Sequence, residues 1–337
     1  MPVYNCEQYV TEAIESILNQ TLTDFELIIV DDHSTDNTRE IVRSFTDPRV
    51  NLLVKPENTG ISSCLNIGLE LARGEYIARM DGDDISYLNR LVIQVDYLQQ
   101  NPNIVLCGAW FECIPTKEVI KHPTHHEDIK IALLNYCALG HSTVMFRKQI
   151  FITHKLQYNS EFEPAEDYNL WTKVISFGEI ANIPEVLLQY RIHNSQVSQK
   201  RSLLQKHKAN LCIQTMLYKP LEEITKEDIA ISDLALQTKI LPTTNTLYQV
   251  INWFEQLIAA NKKNTFYKKS EFNVFISLKK TNLIRLFFLF RYSYNPKILF
   301  CFLLLSPKNR QSLFFAEQIK LFIKCIIFWR SKNTCPH

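Results

Sequence analysis

Apolar positions in the first hundred residues follow two periods in turn. Residues 9–20 carry Val10, Ala13, Ile14, Ile17 and Leu18, one face of a helix, with Thr11 near its start. Residues 25–30 form a near-continuous β-favouring run, the pattern of a strand buried on both faces, and end in the polar turn Asp31-Asp32-His33-Ser34-Thr35-Asp36. The signals then repeat. A helix is predicted over 38–45, a strand over 50–55, a loop over 56–60 and a helix over 61–72. A short apolar run over 76–80, with the composition of a buried strand, breaks into Asp81-Gly82-Asp83-Asp84. Such alternation predicts a mostly parallel sheet with helices on both faces.

Further along, the pattern predicts helices over 90–100, 129–136 and 168–177, and strands over 104–111, 141–147 and 186–193. After Ser198 the alternation becomes irregular and the chain turns helical and lysine-rich, which sets a boundary near residue 200.

In parallel sheets, ligands bind beyond the carboxyl ends of the strands. Asp31-Asp32 and the acids of residues 81–84 both lie at such ends. If the chain stays extended there, Asp81 and Asp83 point to one side, because side chains alternate along a strand. Two carboxylates held together repel unless a cation sits between them, and hard oxygen ligands suit Mg²⁺ or Mn²⁺ alongside substrate phosphates. The competing reading is an acidic surface turn. A second acidic pair, Glu166-Asp167, precedes the helix at 168–177. It supplies either a general base or two acids complementing a helix start.

Composition narrows the field. With 337 residues, 46% hydrophobic, the chain holds enough apolar mass for one large core or two domains. A net charge of +2 gives no sign of nucleic-acid binding. Nine scattered cysteines without a C-x-x-C pair point to reduced thiols in the cytoplasm rather than a disulfide framework or zinc site. The first residues have neither the basic start nor the apolar core of a signal peptide. Between residues 262 and 332 the only acids are Glu271 and Glu317. The apolar runs there fall short of the ~20 residues that span a bilayer. Over residues 312–332, aromatic and aliphatic side chains mix with Lys320, Lys324 and Arg330, as in a helix lying in a membrane interface. A helical lid with solvated lysines is the alternative.

These motifs in this order resemble the inverting glycosyltransferases of family 2, of the SpsA-like, polysaccharide-building type. The resemblance rests on Pro2-Val3-Tyr4-Asn5, the run from Phe25 through Asp31-Asp32 to Thr38, Asn58-Thr59-Gly60, Leu65-Asn66-Ile67-Gly68 and the acid turn. It continues at the 141–147 stretch, at Glu166-Asp167-Tyr168-Asn169-Leu170-Trp171 and at Tyr190-Arg191-Ile192-His193. It covers about residues 1–200. It implies a GT-A nucleotide-diphospho-sugar transferase fold: a Rossmann-like, mostly parallel sheet, here with its first strand missing, and a helical C-terminal extension. Residues 1–105 would be the nucleotide-sugar half, 106–200 the acceptor half and 201–337 a helical, basic-hydrophobic region.

The resemblance assigns Pro2, Tyr4, Asp32, Asn58 and Asp81 to the nucleotide sugar. Asp83, with Asp81 and His193, is assigned to a divalent metal, Mn²⁺ or Mg²⁺. Asp167 becomes the catalytic base, with Glu166 as the alternative. Gly140 and His141 match an acceptor-site loop, whereas Trp171 belongs to the core. The expected partners are a nucleotide-diphosphate sugar, most readily a UDP-sugar, and a saccharide or lipid-linked acceptor. The expected place is the cytoplasm, with peripheral contact on the inner face of the plasma membrane. The family's first strand runs just ahead of Pro2, and its absence predicts poor stability or inactivity and leaves a truncated non-catalytic scaffold as one alternative. A phosphatase of the haloacid-dehalogenase type, with Asp81 as nucleophile, is the other; it lacks the threonine or valine expected where Ile85 stands.

Overall fold

The structure, a computed structural model, describes residues 1–193, 196, 201–236, 243–290 and 293–326. Two compact units divide the chain, Met1–Ile213 and Gln214–His337. The boundary expected near residue 200 lies just ahead of the helix in which they divide.

The first unit opens with β1 (Pro2–Val3), α1 (Val10–Leu18), β2 (Leu27–Asp31), α2 (Thr38–Ser44), β3 (Val50–Val54) and α3 (Ile61–Leu71). The strands form a parallel sheet in the order β1-β2-β3. Helix α1 buries Val10, Ala13, Ile14 and Ile17, the face its spacing predicts, in a core shared with Val3, Leu27 and Ile29. These elements follow the hydrophobic pattern to within two residues at either end.

Next come β4 (Tyr76–Ala78), β5 (Ile85–Ser86), α4 (Arg90–Gln100), β6 (Ile104–Ile114), β7 (Glu118–Ile120) and α5 (His126–Ala132). They are followed by β8 (Met145–Arg147), α6 (Lys148–Thr153), α7 (Glu166–Val174) and β9 (Glu179–Arg191). These strands make a second sheet in the order β4-β8-β6-β9-β5, with β7 beside β6. Only β6 and β9 pair in parallel there; the remaining pairs are antiparallel. Parallel order thus governs the first sheet and one pair of the second. β5 and β7, two and three residues long, are too short to carry a period. The strand expected over 141–147 begins late, because the Thr143 hydroxyl and amide both donate to the Gly140 carbonyl and wind His141–Thr143 into a 3₁₀ turn.

The first strand is a stub rather than missing. Pro2 and Val3 pair with Val30 and Asp31, and the Met1 amine donates to the Ile28 carbonyl at 2.8 Å. Beyond them a cavity of about 750 Å³ separates β2 from β4, lined by Leu27, Ile28, Val30, Tyr76, Ile77 and Ala78 among others. That cavity corrects the expectation of a buried β4: Tyr76 and Ile77 are only half-buried and Ala78 is exposed.

Helix α8 (Ser202–Tyr218) runs through the division between the units. The second unit is helical among its described residues: α9 (Lys226–Leu236), α10 (Thr244–Asn264), α11 (Lys269–Leu289), α12 (Pro296–Leu304), α13 (Pro307–Arg310) and α14 (Phe315–Ile326). Trp253, Phe272, Phe287 and Phe288 are buried in its core. Pro296 in the first turn of α12 and Asn295 accepting from the Ile298 amide set where that helix starts. No described helix is long and apolar enough to cross a membrane.

Candidate active site

Strand β4 stops at Ala78 and the chain turns at Gly82-Asp83 instead of continuing extended. The turn packs tightly on β1: a Cβ on Gly82 would lie 2.8 Å from the Val3 side chain. Turning, rather than alternation, therefore decides which acids meet. Asp81, Asp83 and Asp84 each offer an oxygen, all within 4.8 Å of one another, so three carboxylates converge where extended geometry predicts two.

Each of the three is held differently. The Arg79 guanidinium grips both Asp81 oxygens, at 2.6 and 2.7 Å, and the Ser142 hydroxyl donates to Asp81 at 2.9 Å. Asp83 meets His193 Nε2 at 2.9 Å, and its main-chain carbonyl accepts from the Arg191 side chain at 2.8 Å. Asp84 is fully buried; one oxygen accepts from the Arg191 amide at 3.0 Å and the other has no hydrogen-bond partner. Burial, then the Asp81 charge, pushes the Asp83 carboxyl up, against a smaller opposing pull from His193. Asp84 rises well above the ordinary range through burial and the charges of Asp81 and Asp83.

A divalent ion fits this set. The donors are hard oxygens, one of them an orphaned buried carboxylate oxygen, and the repulsion that raises Asp83 and Asp84 is what a dication relieves. On sequence grounds Asp84 ranks below the other two, as an acid behind the metal ligands or a helix cap; the turn brings its oxygen to theirs.

The second acidic pair opens α7, with Ala165 rather than a polar residue at the cap position and no side-chain cap bond. Asp167 accepts from its neighbour's amide, Tyr168 N, at 2.6 Å and from the Cys137 thiol at 3.6 Å. Glu166 is 6% exposed, and its Oε2 is buried without a partner. Burial, reinforced by the Asp167 charge, raises Glu166 to about 8; burial also raises Asp167, whose two hydrogen-bond donors and Arg79 act in the opposite direction. Donors on both oxygens favour the charged form of Asp167, whereas the unpartnered, buried Oε2 of Glu166 favours its protonated form.

Arg79 ties the two acidic groups together. Its side chain is 4% exposed, it grips Asp81, and its charge opposes protonation of both Glu166 and Asp167. Pattern reading missed it, because an arginine next to an apolar run gives no periodic signal. Ser142 and Tyr158 were missed likewise; Tyr158 OH lies 3.1 Å from His141 Nε2, and burial with Arg79 nearby lowers the His141 pKa well below the usual range. Trp171, fully buried, is core. Replacing Arg79 with Met is expected to destabilise the protein by about 2 kcal/mol, discounted because Asp81 is partly exposed. It should also move the acidic limb of any pH–rate profile upward. Thermal unfolding and a pH profile check both effects.

Beyond the carboxyl ends of β1 and β2, residues 4–7 and 33–38 clasp one another. The Asn5 amide donates to Ser34 Oγ at 3.0 Å, the Thr35 amide to Asn5 Oδ1 at 2.7 Å and the Glu7 amide to Asp36 at 3.1 Å. Asn5 takes a positive φ of 48°, a conformation asparagine tolerates. Tyr4 is half exposed beside this clasp, Pro2 is half-buried in β1 and Asn58 is exposed. Asp32 is buried. It receives Lys55 Nζ and the Thr59 and Gly60 amides, at 3.0 and 2.9 Å, and so anchors the loop that carries Asn58.

The chain is similar to known glycosyltransferases. The sequence profile of "Glycosyl transferase family 2" matches residues 1–164. An uncharacterized glycosyltransferase of Haemophilus influenzae is 30% identical over 305 residues, covering 86% of this chain and 88% of the relative. The Escherichia coli enzyme WfgD, a UDP-Glc:α-D-GlcNAc-diphosphoundecaprenol β-1,3-glucosyltransferase, is 31% identical over 204 residues, 60% of this chain and 79% of that one. Among solved structures, Staphylococcus aureus TarS 1–349 in complex with UDP-GlcNAc superposes with a TM-score of 0.55 at 19% identity, covering 84% of this chain and 89% of TarS. The mannosyltransferase PcManGT of Pyrobaculum calidifontis, in complex with GDP-Man and Mn²⁺, reaches 0.52 at 15% identity, covering 96% and 85%. The chain has the GT-A type of fold and belongs to the family 2 glycosyltransferases.

Proposed function

We propose that this glycosyltransferase moves a sugar from a nucleotide-diphosphate donor, a UDP-sugar, to a saccharide or lipid-linked saccharide acceptor with inversion, in building a surface polysaccharide. The observation that carries the reading is the pairing of two acidic groups across Arg79: three carboxylates suited to a divalent ion, and the buried pair Glu166-Asp167, whose charge Arg79 favours. WfgD, which uses UDP-Glc and a lipid-linked acceptor, supports the choice of donor and acceptor class.

In this reading Tyr4, Asp32 and Asn58 flank the nucleotide, with Pro2 and Asp81 beside them. Asp83, Asp84 and His193 would hold Mn²⁺ or Mg²⁺ together with Asp81, and the ion would neutralise charge building on the diphosphate leaving group. Asp167 takes the proton of the acceptor hydroxyl as the new bond forms on the face opposite the leaving group. Glu166, protonated, keeps the local charge to one and leaves Asp167 as the ionised carboxylate that can accept a proton. Arg79 orients Asp81, and its charge opposes protonation of Asp167. Cys137 and the Tyr168 amide fix the direction in which Asp167 faces.

A donor screen with the purified chain tests the reading. Hydrolysis of a UDP-sugar, dependent on Mn²⁺ or Mg²⁺ and faster than that of GDP- or ADP-sugars, is the expected result. Metal-independent turnover, or none with any nucleotide sugar while the chain remains folded, would reject it.

A further inference from the structure

We propose that the outward face of α12 and α14 is a docking surface for an anionic lipid bilayer. The two helices pack on each other and turn one apolar stripe inward: Ile298 and Phe302 on α12, Leu321 and Cys325 on α14. A helix that buries one stripe ordinarily shows polar residues on the other side. Here the other side is apolar too. On α12, Phe300, Leu303 and Leu304 are 62, 54 and 60% exposed, at the i, i+3, i+4 spacing of one face. On α14, Phe315, Ile319, Phe322, Ile323 and Ile326 repeat that spacing over three turns, and Phe315 is 79% exposed. Phe314, just ahead of α14, is 71% exposed as well. Isolated exposed apolar residues need no explanation; a two-helix stripe of large ones does.

Charge selects the occupant. Over residues 293–326 the basic residues are Lys297, Lys308, Arg310, Lys320 and Lys324, and the single acid, Glu317, is paired with Arg285. An apolar face beside an excess of basic residues suits a surface that is apolar within and negative at its edge, which is an anionic bilayer. A second copy of this chain would bring the same positive charge to the contact. No described helix is both long and apolar enough to cross the membrane, so the contact is read as peripheral. This extends the proposed reaction to its acceptor side, placing the enzyme where a lipid-linked saccharide is found. It does not depend on that reading, since lipid binding and donor turnover are measured separately.

The test is vesicle co-sedimentation of the full chain with phosphatidylcholine alone and with phosphatidylglycerol added. Binding is expected to strengthen at least about tenfold with the anionic lipid and to weaken as salt is raised. The double variant Phe315→Ser/Phe322→Ser should lower binding to anionic vesicles by about tenfold or more. Lys297→Gln/Lys320→Gln should abolish the preference for anionic lipid while retaining the remainder. Because these side chains are exposed, both variants should match the wild-type circular dichroism spectrum and donor hydrolysis. Equal partitioning of wild type and Phe variant would overturn the proposal. So would a wild-type dimer in sedimentation velocity, without vesicle binding, that the Phe variant converts to monomer.

Discussion

Asp167→Asn is expected to lower sugar transfer by about a thousandfold, while leaving nucleotide-sugar binding nearly unchanged. Asparagine keeps the size of the side chain but cannot accept a proton at neutral pH. Glu166→Gln should behave differently, because Glu166 already carries the proton and a glutamine imitates that state; transfer should fall by about tenfold or less. The two variants also differ in stability. Glu166 is raised by burial and by Asp167 from its ordinary value of 4.5 to about 8. Between those values the folded protein binds more protons at this group than the unfolded chain, so the group's contribution to stability declines as pH rises from about 4.5 to about 8. Glutamine removes that decline. Glu166→Gln should therefore be more stable than wild type at pH 8, by roughly 2–4 kcal/mol, and similar to it near pH 4.5. Transfer by the wild type should fall with acidification at a pH above the ordinary carboxylate range, since burial raises Asp167 as well. If Glu166→Gln proved as inactive as Asp167→Asn, the roles within the pair would be reversed.

The second large effect concerns the three-carboxylate turn. Asp83→Ala should reduce turnover in Mn²⁺ by about a thousandfold, and chelation of the wild type should do the same. Thermal unfolding separates metal loss from misfolding. Saturating Mn²⁺ should stabilise the wild type by about 2.7 kcal/mol at a hundredfold excess over its Kd, and should leave Asp83→Ala unmoved. Without metal the variant should be no less stable than wild type, because the substitution removes one of the charges that repel Asp84. Retention of the full Mn²⁺ shift by Asp83→Ala would remove Asp83 from the metal site.

Pattern reading located α1, β2, α2, β3, α3 and α4 to within two residues at either end, because each carries apolar positions that face buried neighbours. It was weaker where few residues carry the signal. β5 and β7 are shorter than one detectable period, and the Thr143 hydroxyl turns three residues of an apparent strand into a 3₁₀ turn.

The order of local motifs was enough to resemble a family, to name a parallel arrangement at the start and to single out Asp81, Asp83, Glu166 and Asp167. Each of those signals is carried by neighbours along the chain. Tertiary structure alone decided that Asp84 joins Asp81 and Asp83, since turning at Gly82 against Val3 is a contact between distant segments. It alone brought Arg79 and Ser142 to the acids, and it left β4 half-exposed beside a cavity despite an apolar sequence. Periodicity records which face of an element is apolar; only packing decides what that face meets, and which charges are left to answer one another inside it.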